Sequence, residues 1–376
     1  MSSSGLSIHP VESRKDLLQF IRFPRRLYRD SPWYVPHLEF ERKSFFNPAK
    51  NPFFDHAEAA LFLLRSPDGG IAGRISAQVD LNYINFHGEK TGLFGFFDSV
   101  EDPGTAQALF EAAETFLRSK GMSRIVGPMS FTTNDEVGVL VRGFDSHPYL
   151  MMPYNFPYYD SLLRSCGLEK ASDLYAYTFD YSLGEVPDFI RRVNERLRRS
   201  TRIHTRMLDM KHFGRELELV KKIYNSAWEE NWGFIPMTDA EIDHMASTLK
   251  PLVDPRLVHF VFVDDEPAGL FLALPDYNQV LRKLEGRLFP FGFVKLLMGR
   301  RKIDRLRVLV MGVVKKYRRL GLETVLLHEI YAQGPKFRYR GGELSWILEG
   351  NAITNRICSR IGGPPYRTYR IYQKGL

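Results

Sequence analysis

Apolar and polar positions in this chain follow two rhythms, period 2 and period 3.6, which alternate in a repeated order. An alternating run at Leu6–Val11 predicts a strand, and helical spacing over Arg14–Tyr28 predicts a helix. Strands are predicted next at Ala57–Arg65 and Ile71–Leu81, joined by the turn SPDGG, and then at Gly92–Phe97. A helix at Thr105–Lys120, closed by Gly121, leads to the strand SRIVGP, a short helix at Tyr158–Ser165 and a strand at Tyr175–Tyr181. After residue 200 the order returns. Strand Ile203–Met210, helix Arg215–Trp228 and helix Asp239–Leu249 precede two strands, Leu257–Val263 and Ala268–Leu274, around the acidic turn DDEP. Strand Arg305–Val314, helix Leu322–Tyr331, strand Glu343–Leu348, helix Ala352–Ile361 and strand Thr368–Tyr372 complete the pattern.

The recurrence predicts one αβ unit used twice, with domains 1–182 and 183–376. A length of 376 residues suits two domains of about 150–200 each. The ends of the two halves correspond most visibly. The segments 155–181 and 351–374 both run from an Asn through a short helix to Gly and on to a Tyr-rich strand. The stretch SLGEVPD at 182–188 is the expected junction, with Pro187 poised to open an arginine-rich helix.

Composition narrows the class. An apolar fraction of 44% is enough for sizeable cores. Two cysteines, Cys166 and Cys358, make neither a disulfide framework nor a zinc site, which favours a reducing compartment, and no metal is expected. The polar start MSSSGLSIHP has no apolar signal core, and no run reaches the ~20 apolar residues that span a bilayer. A cytoplasmic protein is expected, with a peripheral contact to the inner membrane. The net charge of +8 is concentrated in RRVNERLRRSTRIHTR at 191–206 and GRRKIDRLR at 299–307. Neither run has interleaved aromatic residues, so nucleic acid is not an expected partner; an acidic ligand or an anionic lipid surface fits better.

One stretch points to a particular ligand class. KKYRRLGLETVLL at 315–327 follows the strand-like RLRVLVMGVV, so two lysines, two arginines and a glycine sit at the mouth of a helix. Free N–H groups and the positive end of the dipole favour an anion there.

The half from about 200 to 376 resembles the GNAT superfamily of acyl-CoA N-acyltransferases. The carrying features are a strand feeding a loop of pattern [Q/R]-x-x-G-x-[G/A], met here by Arg318, Gly321 and Glu323, and LSWILEGN opening a helix at Asn351. The N-terminal half is similar but has VEDPGTAQ in place of the phosphate loop. The expected fold class is therefore α/β (α+β): two tandem GNAT-like domains, each a mixed, mostly antiparallel sheet flanked by helices. Over nearly the whole chain, SPWYVP, FGFFDSVED, VGPMSF, GVLVRGFD, WEENWGF, ALPDYN and SWILEGN resemble, in order, the bacterial ceramide synthase-like family. That resemblance implies acylation of a sphingoid base, 3-ketosphinganine or sphinganine, from long-chain acyl-CoA. Another amine, such as a peptide or an amino sugar, stays open as the acceptor, as does a catalytically silent acyl-CoA or lipid-binding role.

The resemblance also implies where coenzyme A would bind. Met311, Gly312, Val313 and Val314 would give backbone contacts to pantetheine and to the developing oxyanion. Lys316, Arg318, Arg319, Leu320, Gly321, Leu322 and Glu323 would surround the pyrophosphate. Glu323 departs from the usual Gly or Ala; pointing inward it would repel phosphate, and an acyl carrier protein would then be the alternative donor. Asn351 would bond the cofactor amide or simply cap its helix. Cys358 stands where many members carry a Tyr acid, although a small buried packing residue is the commoner role for Cys. Glu230, Asp276 and Glu349 are the candidate bases; His259 and His204 read as structural.

A lipid acceptor calls for apolar surface. In GRLFPFGFVKLLMGRRK at 286–302, Phe289, Phe293, Leu296 and Leu297 fall at helical spacing with basic residues at both ends, which suits an interfacial helix on anionic lipid. The aromatic stretch 147–159 reads either as a chain pocket or as core.

Overall fold

The structure, a computed structural model, describes residues 5–181 and 186–376, apart from the side chains of 334 and 335. The expected junction at 182/183 lies outside the described residues. In chain order the first elements are β1 (Ser7–Pro10), α1 (Arg14–Leu27), α2 (Glu39–Phe45), β2 (Ala57–Arg65), β3 (Ile71–Asp80), α3 (Leu81–His87) and β4 (Thr91–Ser99). Next come α4 (Pro103–Ser119), β5 (Arg124–Gly127), β6 (Val139–Arg142), α5 (Tyr159–Ser165), β7 (Glu169–Asp180), α6 (Asp188–Leu197) and β8 (Ile203–Met207). They are followed by α7 (Phe213–Trp228), α8 (Asp239–Leu249), β9 (Val258–Val263), β10 (Glu266–Pro275), α9 (Asn278–Leu281) and α10 (Gly292–Gly299). The last are β11 (Arg305–Val313), α11 (Leu322–Gln333), β12 (Gly341–Leu348), α12 (Ala352–Gly362) and β13 (Arg367–Gly375).

Local chemistry explains many of the boundaries. Ser13 caps α1 by accepting from Asp16 N at 3.1 Å. Thr238 and Glu241 form a reciprocal capping box on α8, a T-x-x-E signal visible in the sequence. Four elements escaped the sequence pattern, among them the four-residue α9. Helix α2 has neither a side-chain cap nor a buried residue, and α3 begins where Asp80 ends β3 and caps Asn82 N at 2.8 Å. Strand β6 has only four residues.

Two compact units result, and neither is a single stretch of chain. The first holds residues 1–174, 278–298 and 367–376; the second holds 175–277 and 299–366. In the first unit the strand order is β1-β2-β3-β4-β5-β13, and β6 also pairs with β13. There β4 and β5 run parallel, as the crossover through α4 requires. In the second unit the order is β8-β9-β10-β11-β12, with β11 and β12 parallel and joined through α11. The repeat expected from the sequence is thus one topology used twice. Its last strand is placed differently from expectation. Strand β13 pairs with β5 and β6 of the first unit instead of closing the second half.

In the first unit, α4 lays Leu109, Phe110, Ala113 and Leu117, all fully buried, on β2, β3 and β4. Tyr159 from the aromatic stretch is buried there with Tyr154, Phe156 and Tyr158 packed against that core, so this part of the stretch is core. In the second unit, Ile223 and Ala227 of α7 cover Val258, Phe260 and Leu270. Each sheet thus has one face closed by a helix, and what remains to distinguish the units is how their parallel strands end.

Candidate functional site

Strands β11 and β12 pair from Arg305↔Gly341 to Val308↔Leu344 and then separate. On its other side β11 stays paired with β10 as far as Gly269↔Val313, and a bulge absorbs Leu309 between Val308 and Val310. Peptide groups alternate in direction along a strand, so every second one from 309 to 313 faces the gap where β12 would otherwise lie. The gap is a cavity of about 100 Å³. Its lining includes Leu309 and Met311 from β11, Ser345 and Trp346 from β12, Trp228 from the end of α7, and Cys358 from α12. Trp228 lies directly on Gly312: a Cβ there would sit 2.4 Å from its Cη2.

The basic loop connects the end of β11 to α11. Arg319 (φ 74°) and Gly321 (φ 85°) both take the left-handed backbone that turns the chain into the helix. The first N–H groups of α11 have no intrahelical acceptor and open toward this turn. Three of its four cations, Lys315, Lys316 and Arg318, are already engaged. Glu230 accepts from Lys315 Nζ at 2.8 Å and from the Arg318 guanidinium, whose Nη2 also donates to Ala227 O at 2.9 Å. Lys316 pairs with Glu266 at 2.6 Å, and the Tyr317 hydroxyl donates to the same carboxylate. Lys315, and then Arg318, lower the Glu230 pKa below its ordinary value, which makes it a poor proton acceptor.

The cavity brings together Met311, Asn351 and Cys358 of the sequence-predicted residues. Asn351 also caps α12, its Oδ1 accepting from Thr354 N at 3.2 Å. Glu230 stays with the loop. Asp276 is buried beside the start of β11, where its N–H donates to Arg305 O at 2.9 Å, away from the parting strands. Glu349 lies in the turn before α12, and its carbonyl accepts from Asn355. Glu323 lies half-buried in the first turn of α11. His259 is buried, and its Nε2 lies 3.0 Å from Arg256 O; His204 stacks on Phe262. Sequence reasoning missed Trp228, Asn231 and Ser345 as lining residues, although the stretches WEENW and LSWILEGN contain all three. Among the described residues no group of three or more His, Cys, Asp or Glu is set to hold a metal ion.

Burial raises the Cys358 thiol to about 12, so it is a weak acid for a leaving thiolate. The Cys166 thiol is raised to about 11, also chiefly by burial. Neither should react with iodoacetamide at pH 8 in the folded protein, while both should react in urea, as read by intact mass. Above the ordinary thiol value of 9.0 the unfolded chain loses these protons and the folded chain keeps them, so both thiols reduce stability as pH rises further.

The first unit has the same topology without the opening. Its β4–β5 pairing stops at Leu93↔Val126, but Met129 N then donates to Phe94 O at 2.7 Å, and Gln78 Nε2 donates to Met129 O at 2.8 Å. Phe131 continues this plug into a cluster with Phe20, Phe46, Phe53 and Phe96. The N-terminus of α4 is closed as well, since Asp102 Oδ2 accepts from Thr105 N at 2.7 Å. An aspartate there occupies the place an anion would need.

Comparison with known proteins bears on the family and the fold. The chain is 37% identical over 384 residues to a protein of Caulobacter vibrioides named bacterial ceramide synthase, covering 100% of this chain and 99% of that one. This chain belongs to the bacterial ceramide synthase family. Protein YghO of Escherichia coli K12 is likewise 37% identical to this bacterial ceramide synthase family member, over 390 residues, covering 100% of this chain and 97% of that one. Among solved structures, a tandem GNAT protein from the clavulanic acid biosynthesis pathway superposes with a TM-score of 0.56 at 12% identity, covering 98% of each chain. A GCN5-related N-acetyltransferase from Sphaerobacter thermophilus gives 0.51 at 13% identity, covering 98% of this chain and 95% of that one. The fold is a tandem GNAT fold. No family model matches the chain.

Proposed function

We propose that this protein is an N-acyltransferase that moves a fatty acyl group from long-chain acyl-CoA to the amine of a sphingoid base, 3-ketosphinganine or sphinganine. The product is a (3-oxo-)dihydroceramide. The observation that carries this reading is the parted β11–β12 pair leading into a basic, left-handed turn at the mouth of α11. The pantetheine arm would follow the free edge of β11, and the pyrophosphate would meet the first N–H groups of α11. Lys315, Lys316 and Arg318 would exchange Glu230 and Glu266 for phosphate oxygens. An α-amino ketone is no more basic than an α-amino group, whose pKa is about 7.7–8.0, so the acceptor needs only a weak base. Incubation with mixed acyl-CoAs and candidate amines, read by mass spectrometry, tests this. N-acylated sphingoid base is the expected product; acylation only of peptides or amino sugars, or none at all, overturns the assignment.

The acceptor lipid gives a reason for the surface around α10. No residue of α10 is buried, and Phe289, Phe291 and Met298 are 76%, 73% and 69% exposed. Arg287, Lys295, Arg300, Arg301 and Lys302 in and around it are exposed too. Aromatic and aliphatic side chains framed by cations suit the interface of an anionic bilayer, here the cytoplasmic face of the inner membrane. No helix among the described residues is long and apolar enough to cross a membrane. Changing Arg300, Arg301 and Lys302 together to Gln should remove about 1 kcal/mol per charge, roughly a hundredfold of vesicle affinity at low salt. Co-sedimentation with phosphatidylglycerol vesicles measures it. Absent binding by the wild type, or binding unchanged in the variant, would rule the surface out.

A further inference from the structure

Buried charge beside the cleft is explained neither by the loop nor by the lipid surface. Glu343 on β12 is fully buried, and Arg307, its register neighbour on β11, is 2% exposed. Ser345 lies two residues further along β12, on the same face as Glu343. Its hydroxyl donates to Glu343 Oε1 at 2.6 Å and accepts from Arg307 Nε at 3.2 Å. The Tyr366 hydroxyl donates to Glu343 Oε2, and the Arg307 guanidinium lies 4.9 Å from the Trp346 ring centre. Ser345 is also the first β12 residue past the last pair with β11, and it lines the cavity. One hydroxyl therefore connects the open end of the cleft to a carboxylate that solvent does not reach.

Burying a charged side chain costs several kcal/mol, and apolar residues of similar size would stabilise the sheet at least as well. Charges retained behind the wall of a cavity, with a carboxylate one hydroxyl away from it, are the arrangement expected of a proton path.

We propose that Ser345 takes the proton from the attacking amine and that Glu343 is the positioning residue that receives it through Ser345. This rests on the acyl-transfer reading above. The amine nitrogen forms a C–N bond to the thioester carbonyl carbon, and the C–S bond breaks with its electron pair leaving on sulfur. The N–H proton passes to Ser345 Oγ as the Ser345 proton moves to Glu343. Return of that proton along the same path neutralises the thiolate, so no other co-reactant is needed. Tyr366 keeps the carboxylate oriented while it is charged, and Arg307 holds the Ser345 hydroxyl.

The test is steady-state acyl transfer from palmitoyl-CoA to sphinganine by the full-length protein, with Ser345→Ala, Ser345→Thr and Glu343→Gln. Ser345→Ala should lower kcat by ~10²-fold with KM for the thioester unchanged, while Ser345→Thr, which keeps the hydroxyl, should stay within about fivefold of wild type. Glu343→Gln should be as slow as Ser345→Ala in kcat, again with KM for the thioester unchanged. Wild-type kcat in Ser345→Ala or in Glu343→Gln overturns the proposal while leaving the acyl-transfer reading intact. Absence of turnover in the wild type overturns both. Thermal melting checks folding, and should Ser345→Ala not fold, the kcat and KM of Glu343→Gln decide.

Discussion

Replacing Gly321 by Val should weaken CoA binding tenfold or more. At φ 85° a β-branched residue is strained, and a Cβ would also approach Val193 Cγ1 of α6 to 3.3 Å. Strain of this kind costs about 1–3 kcal/mol, and its relief would move the backbone that carries the first N–H groups of α11. If that displacement falls on the anion site, roughly ten- to hundredfold of affinity is lost. The internal control is Gly104→Val in the first turn of α4, where a Cβ meets only the Asp102 carboxylate at 3.4 Å and no phosphate loop exists. Calorimetry with CoA should register a large loss for the first variant and none for the second. Equal losses would mean that the second unit is not the sole thioester site.

Gly312→Ala should impair stability and turnover together. The new methyl would lie 2.4 Å from Trp228 Cη2 and 2.6 Å from Cζ2, closer than side chains approach one another. The indole cannot easily yield, because it stacks on Tyr224 with ring centres 4.9 Å apart. Overpacking of this sort costs about 1–3 kcal/mol. It also displaces a wall of the cleft, and a misplacement of about 1 Å at a reacting centre can cost about 10²-fold in rate. A lower melting temperature and a kcat/KM reduced by about that factor are expected. Adding Trp228→Leu should restore much of the melting temperature by removing the clashing ring. A single Gly312→Ala variant with wild-type melting and turnover would show that Trp228 does not pack on Gly312 in solution.

The elements and their recurrence follow from the chain's local signals, because periodicity and capping act over a few residues. T-x-x-E before α8, the apolar runs of β9 and β10, and the glycine in the turn before α11 each speak for themselves. The order of strands and helices, the basic turn and the family resemblance were legible for the same reason. Where the pieces went depends on contacts between distant parts of the chain. Strand β13 reads as the end of the second repeat, yet hydrogen-bonding partners are chosen in space, and it pairs with β5 and β6. Glu230, Asp276 and Glu349 look alike as isolated acids. Ion pairing commits Glu230 to Lys315 and Arg318, Asp276 is buried beside the start of β11, and Glu349 stays in a turn. Glu343 and Ser345 read as ordinary strand residues until the parting of β11 and β12 puts one behind the cleft and the other at its wall. A proton path depends on which side chains share a wall of a cavity, and that is fixed by strand register rather than by any local signal.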